Sequence, residues 1–239
     1  MTAPMQTLDA AQAAADAIVE RAEARYDAHR QEIFRATDRI FGWLMIGQWI
    51  FGIFLAVAVS PYAWEGKVKT IHAHVWIAVI LGGLLSALPV YLARKHPGEV
   101  LTRHVIAVAQ LLWSALLIHL TGGRIETHFH VFGSLAILTF YRDWPVVITG
   151  AAVTALNHFF LGVFWPESIY GIANPEWWRF LEHAGWVVFC ISFMIIGTRR
   201  GQKDMRVMAD RSAELEALSE NAWRNSSVID RMTAKAAGT

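Results

Sequence analysis

Six stretches of apolar residues, each bracketed by charges or turn residues, restrict this chain to helices packed across a membrane: about Ile40–Val59, Ile71–Ala93, Val105–Leu120, Thr127–Tyr141, Pro145–Trp165 and Trp178–Thr198. A span of about 20 helical residues crosses the hydrocarbon core, because lipid offers no partner to an open backbone N–H or C=O. Four stretches reach that length outright. The third and fourth are short, and Thr121-Gly122-Gly123-Arg124 between them reads as a tight turn, so they form either two full spans or a re-entrant pair. The expected fold is an all-α, polytopic membrane protein with six transmembrane helices and cytoplasmic N- and C-terminal helices. Residues 1–37 read as a cytoplasmic amphipathic helix, 38–200 as the six-helix domain, and 201–239 as a helical tail or connector.

Composition agrees with a lipid bilayer as the main partner. Hydrophobic residues make up 55% of the chain, with eleven tryptophans, and the formal net charge is +1, scattered rather than gathered into a basic patch for nucleic acid. Cys190 has no second cysteine to pair with, so neither an intrachain disulfide nor a cysteine-rich zinc site can form, and any metal must be held by nitrogen and oxygen. The stretch Met1 to Glu20 lacks a basic residue ahead of an apolar core and does not read as a cleaved signal peptide; the first span is expected to serve as the signal.

Basic residues near the span ends set the orientation. Arg30, Arg35, Arg39, Arg94, Lys95, Arg103, Arg142, Arg199, Arg200, Lys203 and Arg206 gather on one side, against Lys67, Lys69, Arg124 and Arg179 on the other, which predicts both termini in the cytoplasm. Trp64, Trp144, Trp165, Trp177 and Trp178 fit the interfacial belt. Outside the spans, Val19, Tyr26, Ile33 and Ile40 repeat every seven residues, as do Met208, Leu215, Ala222 and Ile229, with Leu218 and Met232 at companion positions. These are either solvated amphipathic helices or seams for a homodimer.

The sharpest chemical signal is the distribution of histidines. His72, His74, His119, His128, His130, His158 and His183 lie in or at the ends of five different spans, all within about 10 Å of the extracytoplasmic end at 1.5 Å per residue. Residues two apart on a helix diverge by roughly 200°, so only one histidine of each H-x-H pair faces a given centre. The stripes His74, Ala78, Gly82, Ser86 and Gly150, Thr154, His158, Gly162 place His74 and His158 toward the interior. Glu126, His130 and Ser134 share a face, which favours His130 over His128 and sets a carboxylate beside an imidazole. A single such histidine is more often an interfacial side chain than a ligand, but seven at one depth point to binding or proton handling. Neutral imidazole suits copper, zinc or iron, giving a metal set of His74, His130, His158, His183 and Glu126, with His128, His72 and His119 as further candidates. A haem held between two histidines, or a metal-free pH sensor, uses the same residues. Retinal is disfavoured, since no lysine lies inside a span.

The runs Gly123-Arg124-Ile125-Glu126-Thr127-His128-Phe129-His130-Val131-Phe132-Gly133-Ser134-Leu135-Ala136, Phe140-Tyr141-Arg142-Asp143-Trp144, Asn157-His158-Phe159 and Leu181-Glu182-His183-Ala184-Gly185-Trp186, with Ile71-His72-Ala73-His74-Val75-Trp76, resemble the N-terminal membrane region of bacterial sensor proteins. In that family the region precedes histidine kinase, chemotaxis-receptor or diguanylate cyclase output. The resemblance covers about residues 35 to 205 and implies sensory input in signal transduction at the bacterial cytoplasmic (inner) membrane. After the sixth span no phosphoacceptor helix, ATP-binding domain or cyclase signature follows, so kinase activity does not carry over. The chain is expected to act as a stand-alone or truncated input module or to signal through a separate output protein. A membrane metalloenzyme, with Glu126 or Glu182 as base, and a bis-histidine haem electron-transfer protein are the competing readings.

Overall fold

The computed structural model describes residues 3–172, 174–176 and 178–237; Trp177, assigned above to the interfacial belt, lies outside the described residues. Helix α1 runs Ala3–Val59, followed by a hairpin of β1 (Tyr62–Glu65) and β2 (Val68–Ile71). Then come α2 (Ala73–Lys95), α3 (Val100–Leu120), α4 (Ile125–Leu138) with a 3-10 turn at Thr139–Tyr141, α5 (Trp144–Phe164), α6 (Pro166–Tyr170) and α7 (Trp178–Ala237). The all-α expectation holds apart from the hairpin, which the apolar pattern did not announce.

Among the described residues, five helices, α1, α2, α3, α5 and α7, are long and apolar enough to cross a membrane. The third apolar stretch grows to a 21-residue helix because Val100, Leu101, Thr102, Arg103 and His104 continue it at its start. Helix α4 has 14 residues and falls below that length. It nevertheless runs antiparallel to α3 in a fixed register. Thr121 Oγ1 lies 2.9 Å from Thr127 Oγ1, Ser114 Oγ 2.9 Å from His130 Nδ1, Gln110 Nε2 donates to Ser134 Oγ at 2.9 Å, and Arg103 Nε donates to Asp143 Oδ2 at 2.7 Å. These four contacts climb α3 from one end to the other, so α4 and its 3-10 turn return to the level at which α3 begins.

Helix α3 is the centre of the packing. Ile106, Leu111, Trp113, Leu117, Ile118 and Leu120 are all buried, with α1, α2, α4 and α5 arranged around them. Trp113 Nε1 donates to Ser86 Oγ at 3.0 Å, and Ser86 Oγ donates to the Met45 carbonyl at 3.1 Å, so one indole ties α3 to α2 and α1. That closeness needs small residues: a Cβ on Gly52 or Gly82 would lie 2.8 or 2.7 Å from the Trp113 ring. The α3–α4 turn requires glycine for a different reason. Gly122 and Gly123 hold φ of +71° and +75°, and a Cβ on Gly123 would meet the Gly171 nitrogen at 2.4 Å, so this turn and the end of α6 touch through backbone alone.

A buried polar knot closes the other end of the bundle. Asp38 on α1 accepts from the Gly98 N–H at 2.6 Å and from Tyr141 Oη at 2.7 Å, while the Arg103 guanidinium sits 4.2 Å above the Phe34 ring.

The chain divides into two compact units, Gln31–Arg200 and the pair Met1–Arg30 with Gly201–Thr239. Within the second unit the two segments run antiparallel: Arg21 Nη1 donates to Glu220 Oε1 at 3.1 Å, Arg25 pairs with Glu216 and donates to Ser212 Oγ at 2.7 Å, and Arg206 Nη2 donates to Glu23 Oε1 at 3.2 Å. Ala22, Met205, Ala209 and Ala213 supply its buried apolar contacts. The heptad residues Met208, Leu215, Leu218, Ile229 and Met232 remain exposed, so the predicted tail seam is not consumed within this unit.

Candidate functional site: three groups of histidines

The seven histidines do not share one centre; they fall into three groups. The first is His128 on α4, His158 on α5 and His183 on α7, whose ring centroids stand 5.8, 5.7 and 6.2 Å apart around a triangle. The second is His72 and His74 at the start of α2 with His119 at the end of α3, at 4.4 and 5.1 Å. The third is His130 alone. Its Nε2 accepts from Gln48 Nε2 at 3.1 Å and its Nδ1 faces Ser114 Oγ, inside a core of Ser134 and Gln110.

The sequence favoured His130 over His128, and the structure places them the other way round. His128 joins His158 and His183, while His130 turns toward α1 and α3. Glu126 does not reach His130; it is exposed, with its carboxylate 3.6 Å from Arg124 Nε. The small-residue stripes are buried as expected at Ala78, Gly82 and Ser86, and at Gly150, Thr154 and His158, yet His74 and His158 end in different groups because their helices flank α3 on separate sides.

Hydrogen bonding decides which ring nitrogens are free. In the first group every Nδ1 lies 3.0 Å from the carbonyl four residues earlier on its own helix: Arg124 for His128, Thr154 for His158, Arg179 for His183. A carbonyl only accepts, so each Nδ1 carries its proton and each neutral ring keeps its lone pair on Nε2. This is the backbone contact that commonly orients a metal-binding imidazole. His128 Nε2 is buried without a partner among the described residues, and His128 and His158 are themselves buried. The other groups are committed differently. His72 Nδ1 accepts from the His74 N–H at 3.1 Å as the N-cap of α2, and His119 Nδ1 lies 2.9 Å from Ser168 Oγ, with Trp165 against the ring at 4.9 Å. His130 has both nitrogens in use.

Among the described residues, no group of three or more His, Cys, Asp or Glu is close enough to hold a metal ion as it stands. Three imidazoles on one tetrahedral ion, with metal–nitrogen bonds of about 2.0 Å, bring their centroids to about 5 Å. The triangle is therefore open by about 0.5–1 Å. Sequence reasoning missed Tyr170, whose ring stacks edge-on at 5.7 Å from His183. Burial pushes its phenol above the ordinary tyrosine value, the Arg179 charge offsetting part of the shift. It also missed Gln48, Gln110 and Ser114, common polar residues that become notable only once the helices are paired.

Comparison with known proteins gives one partial likeness. Over 76 residues, 30% of this chain, the sequence is 33% identical to the transducer protein Htr8 of Halobacterium salinarum, and the match spans 12% of that protein. No family model and no solved structure matches. The long apolar helices point to a membrane protein.

Proposed function

We propose that this chain is a membrane-embedded sensory input module in which His128, His158 and His183 hold a transition metal through their Nε2 atoms. One observation carries the reading: three imidazoles from three helices each commit Nδ1 to a backbone carbonyl, which puts the lone pair of each neutral ring on Nε2. Copper, zinc or iron suits a neutral nitrogen set of this kind. Binding would draw the rings together, so the ion favours a closed arrangement of α4, α5 and α7 over the open one, which is what a switch requires. Helix α7 carries His183 and continues unbroken to Ala237, giving the change a route into the tail.

The topology that accompanies this reading has six crossings. The register of α4 against α3 from Thr127 to Asp143 supports counting α4 with its 3-10 turn as a crossing, and the eleven-to-four basic bias supports cytoplasmic termini in a bacterial inner membrane. Output would come from a separate signalling partner or a second copy meeting the exposed tail residues.

The test is metal analysis by mass spectrometry, with a visible spectrum, on protein purified in detergent without a metal-binding tag. One equivalent of copper, zinc or iron is expected, lost in His158→Ala and retained in His130→Ala. Metal retained in His158→Ala, or a wild-type protein that stays empty after adding metal, would refute the site; a Soret band would replace the ion with haem.

A further inference from the structure

A metal ion alone does not explain the space beside the three histidines. A cavity of about 930 Å3 opens between α4, α5 and α7, with His128, His158 and His183 among its lining residues. Its other walls are apolar, among them Phe129, Phe132, Ile148, Trp186 and Phe189. Ile148 and His158 lie ten residues apart on α5, so the cavity follows that helix for about 15 Å from the level of the histidines. Phe129, Trp186 and Phe189 are exposed, the last two on α7, a helix long and apolar enough to cross a membrane. Few polar groups line it besides the imidazoles. The Thr154 hydroxyl is already donated to the Gly150 carbonyl at 3.1 Å, and Glu182 is an exposed carboxylate at the rim. Small side chains at Ala151, Ala152 and Ala155 keep the α5 wall shallow.

Resting on the metal reading above, we infer that the ion's remaining coordination position is reached from the bilayer through this cavity and takes an uncharged, lipid-soluble ligand with one nitrogen or oxygen donor. Three protein ligands leave a tetrahedral ion one open position. An apolar passage excludes a charged molecule, because an unpaired ion loses hydration it cannot recover there. The Glu182 carboxylate further repels anions. A hydrocarbon tail fills the cavity while the donor atom meets the ion, so the stimulus is a molecule dissolved in the membrane rather than in the surrounding water.

The experiment uses the full-length protein loaded with Co2+, whose visible bands report its coordination, and titrates 4-phenylimidazole, imidazole and azide in turn. The expected result is a band shift at 4-phenylimidazole concentrations at least tenfold below those of imidazole, and none with azide. Ala155→Phe should keep its cobalt stoichiometry and unliganded spectrum while weakening the 4-phenylimidazole response tenfold or more. Cobalt bound with azide or imidazole as effective as 4-phenylimidazole overturns the inference and leaves the metal site standing; that comparison needs only the wild-type protein. A protein that takes up no cobalt removes both.

Discussion

Replacing Asp143 with alanine tests whether α4 returns across the bundle. Asp143 and Arg103 are both buried, with side-chain exposures of 9% and 8%, and Arg103 Nε donates to Asp143 Oδ2 at 2.7 Å. Removing one member of a buried pair leaves the other charge without its counter-ion, a loss of about 3–5 kcal/mol. The Arg103 guanidinium keeps its place over the Phe34 ring, a contact worth about 0.5–2 kcal/mol that cannot replace the carboxylate. Asp143→Ala should therefore lose about 3–5 kcal/mol of stability. The double variant Arg103→Met/Asp143→Leu removes both charges and should recover most of that loss, because well-packed apolar residues often match a buried ion pair. The assay is helix content by circular dichroism as the detergent-solubilised protein is titrated with sodium dodecyl sulfate. An Asp143→Ala variant within about 0.5 kcal/mol of wild type would show that the charges are not paired in a dry site. It would also remove the contact that brings the end of α4 to the start of α3.

Gly98→Ala should destabilise the protein by about 1–2 kcal/mol in the same titration, since φ at Gly98 is +89° and a Cβ there would lie 2.7 Å from Gln31 Oε1. An unchanged transition would mean that the loop donating to Asp38 is free to relax. Tyr170→Phe should change the alkaline limb of the stability profile. The folded-state pKa of Tyr170 lies above its unfolded value, so the protonated phenol contributes stability that is complete below the ordinary tyrosine range and lost as pH rises through the folded value. Wild type should therefore lose stability above about pH 10 faster than Tyr170→Phe, and parallel profiles would refute the assignment.

The helical class and the approximate ends of the long helices were legible because apolar length is a direct consequence of bilayer thickness. Helix α4 was harder to read. Its 14 residues are too few for the length rule, and its role emerges only from pairing with α3 at Thr127, His130, Ser134 and Asp143. The hairpin at residues 62–71 escaped because four-residue strands carry almost no period. Depth along each helix could be read from the fixed rise per residue, but azimuth could not: His128, not His130, stands with His158 and His183. His130 and Ser134 of the predicted stripe do face inward, toward α3 and α1 rather than the neighbouring histidines, while Glu126 at its start is exposed. A helix in a bundle has more than one inward direction, and a sequence periodicity cannot say which neighbour each direction meets.

The three helices of the proposed site are unequally held, and that inequality assigns the motion. Helix α5 buries Val146, Val147, Gly150, Ala151, Thr154 and His158, and α4 buries His128, Val131, Ser134, Leu135 and Leu138. In the most apolar stretch of α7 no residue is buried within the protein. Moving α4 or α5 would open a close-packed core, where residual cavity volume costs about 24 cal/mol per Å3, whereas moving α7 mainly exchanges protein for lipid against apolar side chains. Closure of the triangle by about 0.5–1 Å is therefore expected to be taken up at His183. Shifting such an equilibrium from 1:99 to 99:1 requires the closed state to bind the ion about 10,000-fold more tightly than the open one. Three Nε2 ligands offer that selectivity when the open state presents the same lone pairs too far apart to share an ion. On the proposed reading His158 would be the fixed post and His183 the moving one, on the helix that also forms the tail.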